Sequence, residues 1–269
     1  MIGVFDSGFG GLTVLKEIIK ELPEYDYIYL GDNKRAPYGE KTEEEIIKFT
    51  DKAVQFLFDR GVKLIILACN TASAVALRSV QQKYLNGSNE TDRKILGILI
   101  PTAEEIATYK AGSKIGLVGT RATIDSHGFE KEVKKLRSDI VIYSKACPLL
   151  VSIIEESWHK NKITKIILKK YLSKLKSYNL DALVLACTHY PIIEKEFKKI
   201  MGKKVKVLNP ARIEALKLRE YLGKHPEING KISKKSSIKF LTTGDDKKMI
   251  DFAESILNMK IAKVERVVI

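Results

Sequence analysis

Residues 66–73 read ILACNTAS and residues 184–191 read VLACTHYP. Each is an apolar run that ends in Ala-Cys and passes into small polar residues. A run that is apolar without alternation fits a strand covered on both faces of a parallel sheet. The two copies do not stand alone. LIILACNT (64–71) aligns with ALVLACTH (182–189) at an offset of 118. IGVFDS (2–7) aligns with IGLVGT (115–120), and DYIYL (26–30) with DIVIY (139–143), both at an offset of 113. Three blocks in one order at nearly one spacing predict two similar halves, each with a cysteine after the third strand of its block.

Between these strands the pattern turns helical. A helix from about Leu12 to Leu22 follows the first strand and its glycine loop. The next is punctuated at both ends: Thr42 and Glu45 form a capping box and Gly61 stops it, while Ile46, Phe49, Ala53, Phe56 and Leu57 recur at helical spacing. Asn70 opens a further helix running to about Leu85. Strands alternating with helices predict a parallel-sheet α/β fold. The charged, turn-rich stretch NGSNETDRK (86–94) is the expected crossing between halves. The tail, with VLNPA (207–211), a helix, IKFLTTGD (238–245) and a final helix, is expected to return to the first half. The expected fold class is therefore α/β, built as two similar parallel-sheet α/β halves. The first comprises residues 1–94 plus 208–269 and the second 95–207.

Open α/β sheets bind ligands beyond the carboxyl ends of their strands. DSGFGG, GDNKRAPYG, ACNTAS, GTRAT and ACTHYP all fall there, and two such edges facing each other bring both cysteines into one cleft. Gly8, Gly10 and Gly11 read as turn geometry rather than ligand contacts, since glycine adopts positive φ at no side-chain cost.

With 269 residues, 45% of them apolar, the chain can bury real cores. No apolar run approaches the roughly 18–20 residues that span a bilayer, and the N-terminal MIGVFDSGFGG is not a signal peptide. Three cysteines, an odd number, argue against a disulfide framework and for a reducing cytosol, so a cytoplasmic location is expected. The net charge is +14. The lysines are spread over stretches such as KKLRSD, KNKITKIILKKYLSKLKS and MGKKVKV with no nucleic-acid motif beside them. They read as a solvated surface, with general attraction of an anionic small substrate as the alternative. Neither a membrane nor a specific nucleic acid is expected as a partner, and a homodimer is the assembly to test for.

Cys69 is followed by Asn70 and Thr71, whose side chains and helix-start N–H groups suit a carboxylate. Cys187 is followed by Thr188 and His189, a hydroxyl and a titratable imidazole, and Asp6 and Ser7 stand at an equivalent strand end. Such a cleft suits a small, anionic, polar molecule. Opposed thiols flanked by Asp6 and His189 suit proton exchange on both faces of one carbon, with one thiolate as general base and the other thiol as general acid. Zinc would want clustered Cys/His spacing, which is missing, so no metal is expected. A Walker A loop is absent. Gly8-Phe9-Gly10-Gly11-Leu12-Thr13 lacks the third glycine of a dinucleotide loop, yet Asp32 mimics its ribose-binding acid, so that fold stays as runner-up. A cysteine nucleophile forming a covalent intermediate would leave the second thiol unexplained. Cys147, in KACPLL, has no matched partner and reads as core.

The set DSGFGGLTVLKEI, GDNKRAPYGEKT, ACNTAS, GTRATIDS, CPLLVSIIE and ACTHYP, in that order over essentially the whole chain, resembles glutamate racemase. The resemblance implies two pseudo-symmetric parallel-sheet α/β domains with the active site in the cleft between them, and 1,1-proton transfer by two cysteines without pyridoxal phosphate, metal or any other cofactor. It implies glutamate as substrate and a supply of D-glutamate for peptidoglycan, hence for the cell wall and cell shape. By the same resemblance Cys69 is the base for D-glutamate and Cys187 the base for L-glutamate, with Asp6, Glu155 and His189 as assisting acid–base groups. Asp6, Ser7, Asn70, Thr71, Thr188 and the loop residues Pro37, Tyr38 and Gly39 match the family's substrate contacts. Two departures stand out. Asn33 occupies a position where many members carry a small hydroxyl residue. The N-terminal extension of members activated by a peptidoglycan precursor is missing, so that regulation is not expected. Aspartate racemases share the double-cysteine plan and are the enzymatic alternative, although DSGFGG and PYG favour glutamate. A binding module of the same fold without turnover is the alternative from another class.

Overall fold

The computed structural model describes residues 1–85 and 93–269. The chain opens with β1 (Ile2–Asp6), α1 (Leu12–Glu21), β2 (Tyr27–Gly31), α2 (Glu43–Asp59), β3 (Leu64–Leu67), α3 (Asn70–Leu85) and β4 (Lys94–Gly97). It continues through α4 (Leu99–Ala107), β5 (Lys114–Gly119), α5 (Arg121–Asp125), α6 (Gly128–Leu136), β6 (Val141–Ala146) and α7 (Leu149–Glu155). Then come α8 (Lys162–Lys176), β7 (Ala182–Ala186), α9 (Glu194–Met201) and β8 (Lys206–Leu208). Last are α10 (Pro210–Lys224), α11 (Pro226–Asn229), β9 (Ile238–Thr242), α12 (Asp246–Leu257) and β10 (Val264–Arg266).

The strands form two sheets, ordered β10-β9-β2-β1-β3-β4 and β6-β5-β7-β8, and every pairing is parallel. Without the two strands of the tail, the first sheet has the same order as the second. β1 matches β5 at the centre, β2 matches β6, and β3 matches β7, as the three repeated blocks predict. The tail returns to the first half, where β9 pairs with β2.

Strand alternation explains how each sheet is covered. Ile2, Val4, Leu64 and Ile66 pack in one cluster with residues of α1 and α10, while Phe5, Leu30, Ile65 and Leu67 pack in another with α2 and α3. In the second sheet Leu117 and Val184 face Leu99 and Phe129, and Val118 and Leu185 face Leu150, Leu168 and Phe197. β3 is fully buried along its length, which is why its sequence does not alternate. Each such side chain contributes roughly 1.5–3 kcal/mol of burial.

The capping box forms as read: Thr42 Oγ1 accepts from the Glu45 N–H at 3.3 Å, and the Thr42 N–H donates to Glu45 Oε2 at 3.0 Å. The crossing differs in detail. Most of the expected loop, residues 86–92, lies outside the described residues, but Lys94–Gly97 is a strand paired with β3. The first sheet thus runs through Gly97, and α4 begins at Leu99. The return falls at Asn209, whose Oδ1 caps α10 by accepting from the Ala211 N–H at 3.0 Å. Among the described residues no helix is long and apolar enough to cross a membrane.

Candidate active site

Strand ends from both sheets open into one cavity of about 350 Å³. Ser7 and Gly8 reach it from β1, Asn33, Pro37, Tyr38 and Gly39 from β2, and Cys69, Asn70 and Thr71 from β3. The second half supplies Thr120 after β5, Val151, Ser152 and Glu155 on α7, and Cys187, Thr188 and His189 after β7. Asp245 and Lys248, at the start of α12, complete the wall. The two cysteines that match in sequence therefore meet at one cavity.

Buried polar contacts hold the halves in this relation. Thr71 Oγ1 lies 2.9 Å from Thr120 Oγ1 and 3.0 Å from Thr123 Oγ1, and the latter two are 2.8 Å apart. Thr13 Oγ1 donates to the Thr188 carbonyl at 2.8 Å. The glycine loop has a different reason from the one read in the sequence. Positive φ occurs at Gly61, Gly112 and Gly202 rather than in this loop. Here glycine is needed for space. A Cβ on Gly10 would stand 2.3 Å from Thr188 Oγ1 and 2.5 Å from His189 Nδ1, and one on Gly11 would stand 2.3 Å from Asp6 Cβ.

The loop after β2 is anchored by Asp32. Its buried carboxylate accepts from Tyr38 Oη at 2.5 Å and Thr243 Oγ1 at 2.7 Å, and pairs with Arg35 Nε at 2.7 Å. An acid committed in this way does not await a ribose, so the dinucleotide reading falls.

Of the expected contacts, Ser7, Pro37, Tyr38, Gly39, Asn70, Thr71 and Thr188 line the cavity. Asp6 does not. It is fully buried behind the wall, where Oδ2 accepts from the Gly8 N–H at 2.9 Å and Oδ1 from Thr188 Oγ1 at 3.3 Å. Burial pushes its carboxyl up from the ordinary value, against the opposing pull of His189 and these hydrogen bonds. Among the added residues, Thr120 was recoverable from the repeat, because IGLVGT places it opposite Ser7. Lys248 had no such signal, since α12 belongs to the tail that the repeat lacks. Cys147 is core, buried in the cluster of Leu150 and Leu168.

The two thiols have different surroundings. Cys69 Sγ donates to Ser7 Oγ at 3.3 Å and accepts from the Ala72 N–H at 3.4 Å. Burial, reinforced by the nearby Asp6, pushes this thiol up to about 12 despite those hydrogen bonds. Cys187 Sγ instead lies 4.0 Å from Nδ1 of His189, whose Nε2 is 2.8 Å from Glu155 Oε1. Burial opposes charge on this ring, but the Cys187 sulfur and the Glu155 carboxylate outweigh it and hold His189 up to about 10. The imidazole is therefore protonated at neutral pH, with one N–H aimed at the sulfur and one at the carboxylate. The cavity thus opposes a protonated thiol on one side to a sulfur beside a cation on the other.

Residues 2–217 match the model of a family described as Asp/Glu/Hydantoin racemase. The glutamate racemase of Thermoanaerobacter pseudethanolicus is 40% identical over 98% of this chain and 95% of its own. Among solved structures, the glutamate racemase of Bacillus anthracis superposes with a TM-score of 0.90 at 34% identity, covering 100% of this chain and 97% of that one. The glutamate racemase of Francisella tularensis, solved in complex with D-glutamate, gives a TM-score of 0.89 at 34% identity, over 99% of this chain and 97% of that one.

Proposed function

The chain belongs to the glutamate racemases of the Asp/Glu/hydantoin racemase family, and from that premise we propose that it interconverts L- and D-glutamate by two-base 1,1-proton transfer between Cys69 and Cys187 without a cofactor. The observation that carries the mechanism is the shared cavity: two cysteines at equivalent strand ends of two like sheets open into it. The surroundings of the two sulfurs support a direction for each. The Cys187 sulfur, beside the His189 imidazolium, takes the α-proton of L-glutamate. Cys69, protonated because burial and Asp6 hold its thiol up to about 12, delivers a proton to the opposite face. The product leaves Cys69 as the thiolate and Cys187 as the thiol, which is the form that accepts D-glutamate. No atom is gained or lost over the cycle, and the two enantiomers have equal free energy. The ratio kcat/KM is therefore the same in both directions, and the thiol asymmetry decides only which form of the free enzyme predominates.

Substrate recognition follows from what the wall offers. Ser7, Asn70, Thr71 and Thr188 present hydroxyl and amide groups, the start of α3 presents N–H groups suited to a carboxylate, and Lys248 adds a cation. Pro37, Tyr38 and Gly39 close the side held by Asp32. Asp6 supports the site from behind, tied to Thr188 and raising Cys69. The product serves peptidoglycan synthesis, in a cytoplasmic setting consistent with three free cysteines.

The test is racemisation of glutamate and aspartate by protein dialysed exhaustively against chelator, with no pyridoxal phosphate added. One methylene is typically worth about 1–3 kcal/mol in a pocket, so glutamate should turn over at least about tenfold faster. Activity that returns only with metal or pyridoxal phosphate would end the two-thiol reading, and equal or faster aspartate turnover would reassign the substrate.

A further inference from the structure

The net charge of +14 is unevenly placed. The stretch SWHKNKITKIILKKYLSKLKSY, residues 157–178, contains seven lysines and no acidic residue, half of the net charge in 22 positions. Most of it is α8, which buries Leu168, Leu172 and Leu175 in the core of the second half. An amphipathic surface helix would leave its other side polar. Here Ile163 and Ile166 are 44% and 62% exposed on that outer side. Trp158, on the single 3₁₀ turn before α8, is 56% exposed. Thr164 Oγ1 donates to the Trp158 carbonyl at 2.7 Å and holds that turn against the start of the helix. The helical neighbours of Ile166 at i±3 and i±4 are Lys162, Ile163, Lys169 and Lys170. Among the described residues none of the α8 lysines is ion-paired. An apolar ridge thus stands inside a ring of uncompensated ammonium groups.

Few surfaces complement both properties. A second copy seated on this face would set seven lysines against seven. Nucleic acid would satisfy the ammonium groups and leave the isoleucines against phosphates and sugars. An anionic lipid surface meets both needs, since lysines reach the headgroups while isoleucine and tryptophan enter the boundary with the acyl chains. We propose that the outer face of α8 and the Trp158 turn docks reversibly on an anionic lipid bilayer, against the sequence expectation of no membrane partner. This is peripheral attachment, not a span, and it does not depend on the racemase reading.

Trp158 is the only tryptophan in the chain, so its fluorescence reports this face alone. The protein is mixed with vesicles of phosphatidylglycerol and phosphatidylcholine, and with vesicles of phosphatidylcholine only. The anionic vesicles should sediment the protein, shift its emission to the blue and, with brominated acyl chains, quench it. All three effects should vanish in about 0.5 M salt. The double variant Lys165→Glu, Lys169→Glu should weaken sedimentation at least about tenfold, and Ile166→Ser should reduce quenching, both with unchanged circular dichroism. Absence of sedimentation at low salt would overturn the proposal. So would sedimentation without quenching, which would mean charge attraction only, or tighter binding to duplex DNA than to the vesicles.

Discussion

His189 is the residue on which the electrostatics of the site turn, because its ring spans the Glu155 carboxylate and the Cys187 sulfur. Held up to about 10 against an ordinary 6.5, it keeps a proton in the folded protein that the unfolded chain releases. The folded state binds the extra proton between about pH 6.5 and 10, so this contribution to stability is complete below 6.5 and is lost as pH rises through 10. Glu155→Gln removes the carboxylate while keeping the shape. We expect a shallower fall in melting temperature between pH 7 and 10, and kcat lower by about tenfold to a hundredfold; an unchanged pH slope would show that Glu155 does not hold the charge. The sequence made Cys69, Cys187 and His189 legible because each stands in a repeated or adjacent motif. It could not show that Glu155 meets His189 across 34 residues. Nor could it show that Asp6 sits behind the wall rather than in it, since burial there depends on how Gly11 and Thr188 pack.

Elements were legible where local chemistry decides them. The capping box at Thr42, the unalternating β3 and the helix opened by Asn70 need only neighbours in sequence, and they form as expected. β4 was hidden, because four residues after a charged stretch have too little pattern to announce a strand, and only pairing with β3 makes them one. α10 carries a feature that no periodicity reveals. Its Glu214 is fully buried, one carboxylate oxygen has no partner among the described residues, and burial together with Glu104 pushes it up to about 8. For an acid so raised, the folded state holds the proton that the unfolded chain loses above about 4.5, so stability falls as pH rises from there through 8. Glu214→Gln cannot ionise. Urea midpoints should be nearly unchanged at pH 5 and higher at pH 9, by stability on the order of 4 kcal/mol. A variant less stable than the parent at pH 9 would contradict this.

At the scale of the whole molecule, the duplication was readable from three spaced blocks, and the shared strand order β2-β1-β3-β4 and β6-β5-β7-β8 is its structural form. How closely the two edges face was not readable. It rests on Gly10 packing against Thr188 and His189 and on the hydroxyl cluster of Thr71, Thr120 and Thr123, contacts between residues far apart in the chain. In the proposed cycle each half supplies one base to one face of the same carbon, and single-thiol variants separate the faces. Serine is far less acidic than cysteine and cannot readily serve as the base. The measurement is α-hydrogen exchange in deuterium oxide, followed by proton NMR for each enantiomer of glutamate with Cys69→Ser and Cys187→Ser, with binding checked by calorimetry. Both variants should bind glutamate and fail to racemise it. Cys187→Ser should exchange only D-glutamate, and Cys69→Ser only L-glutamate. Near-parental racemisation by either variant, or exchange of both enantiomers by one of them, would contradict the account.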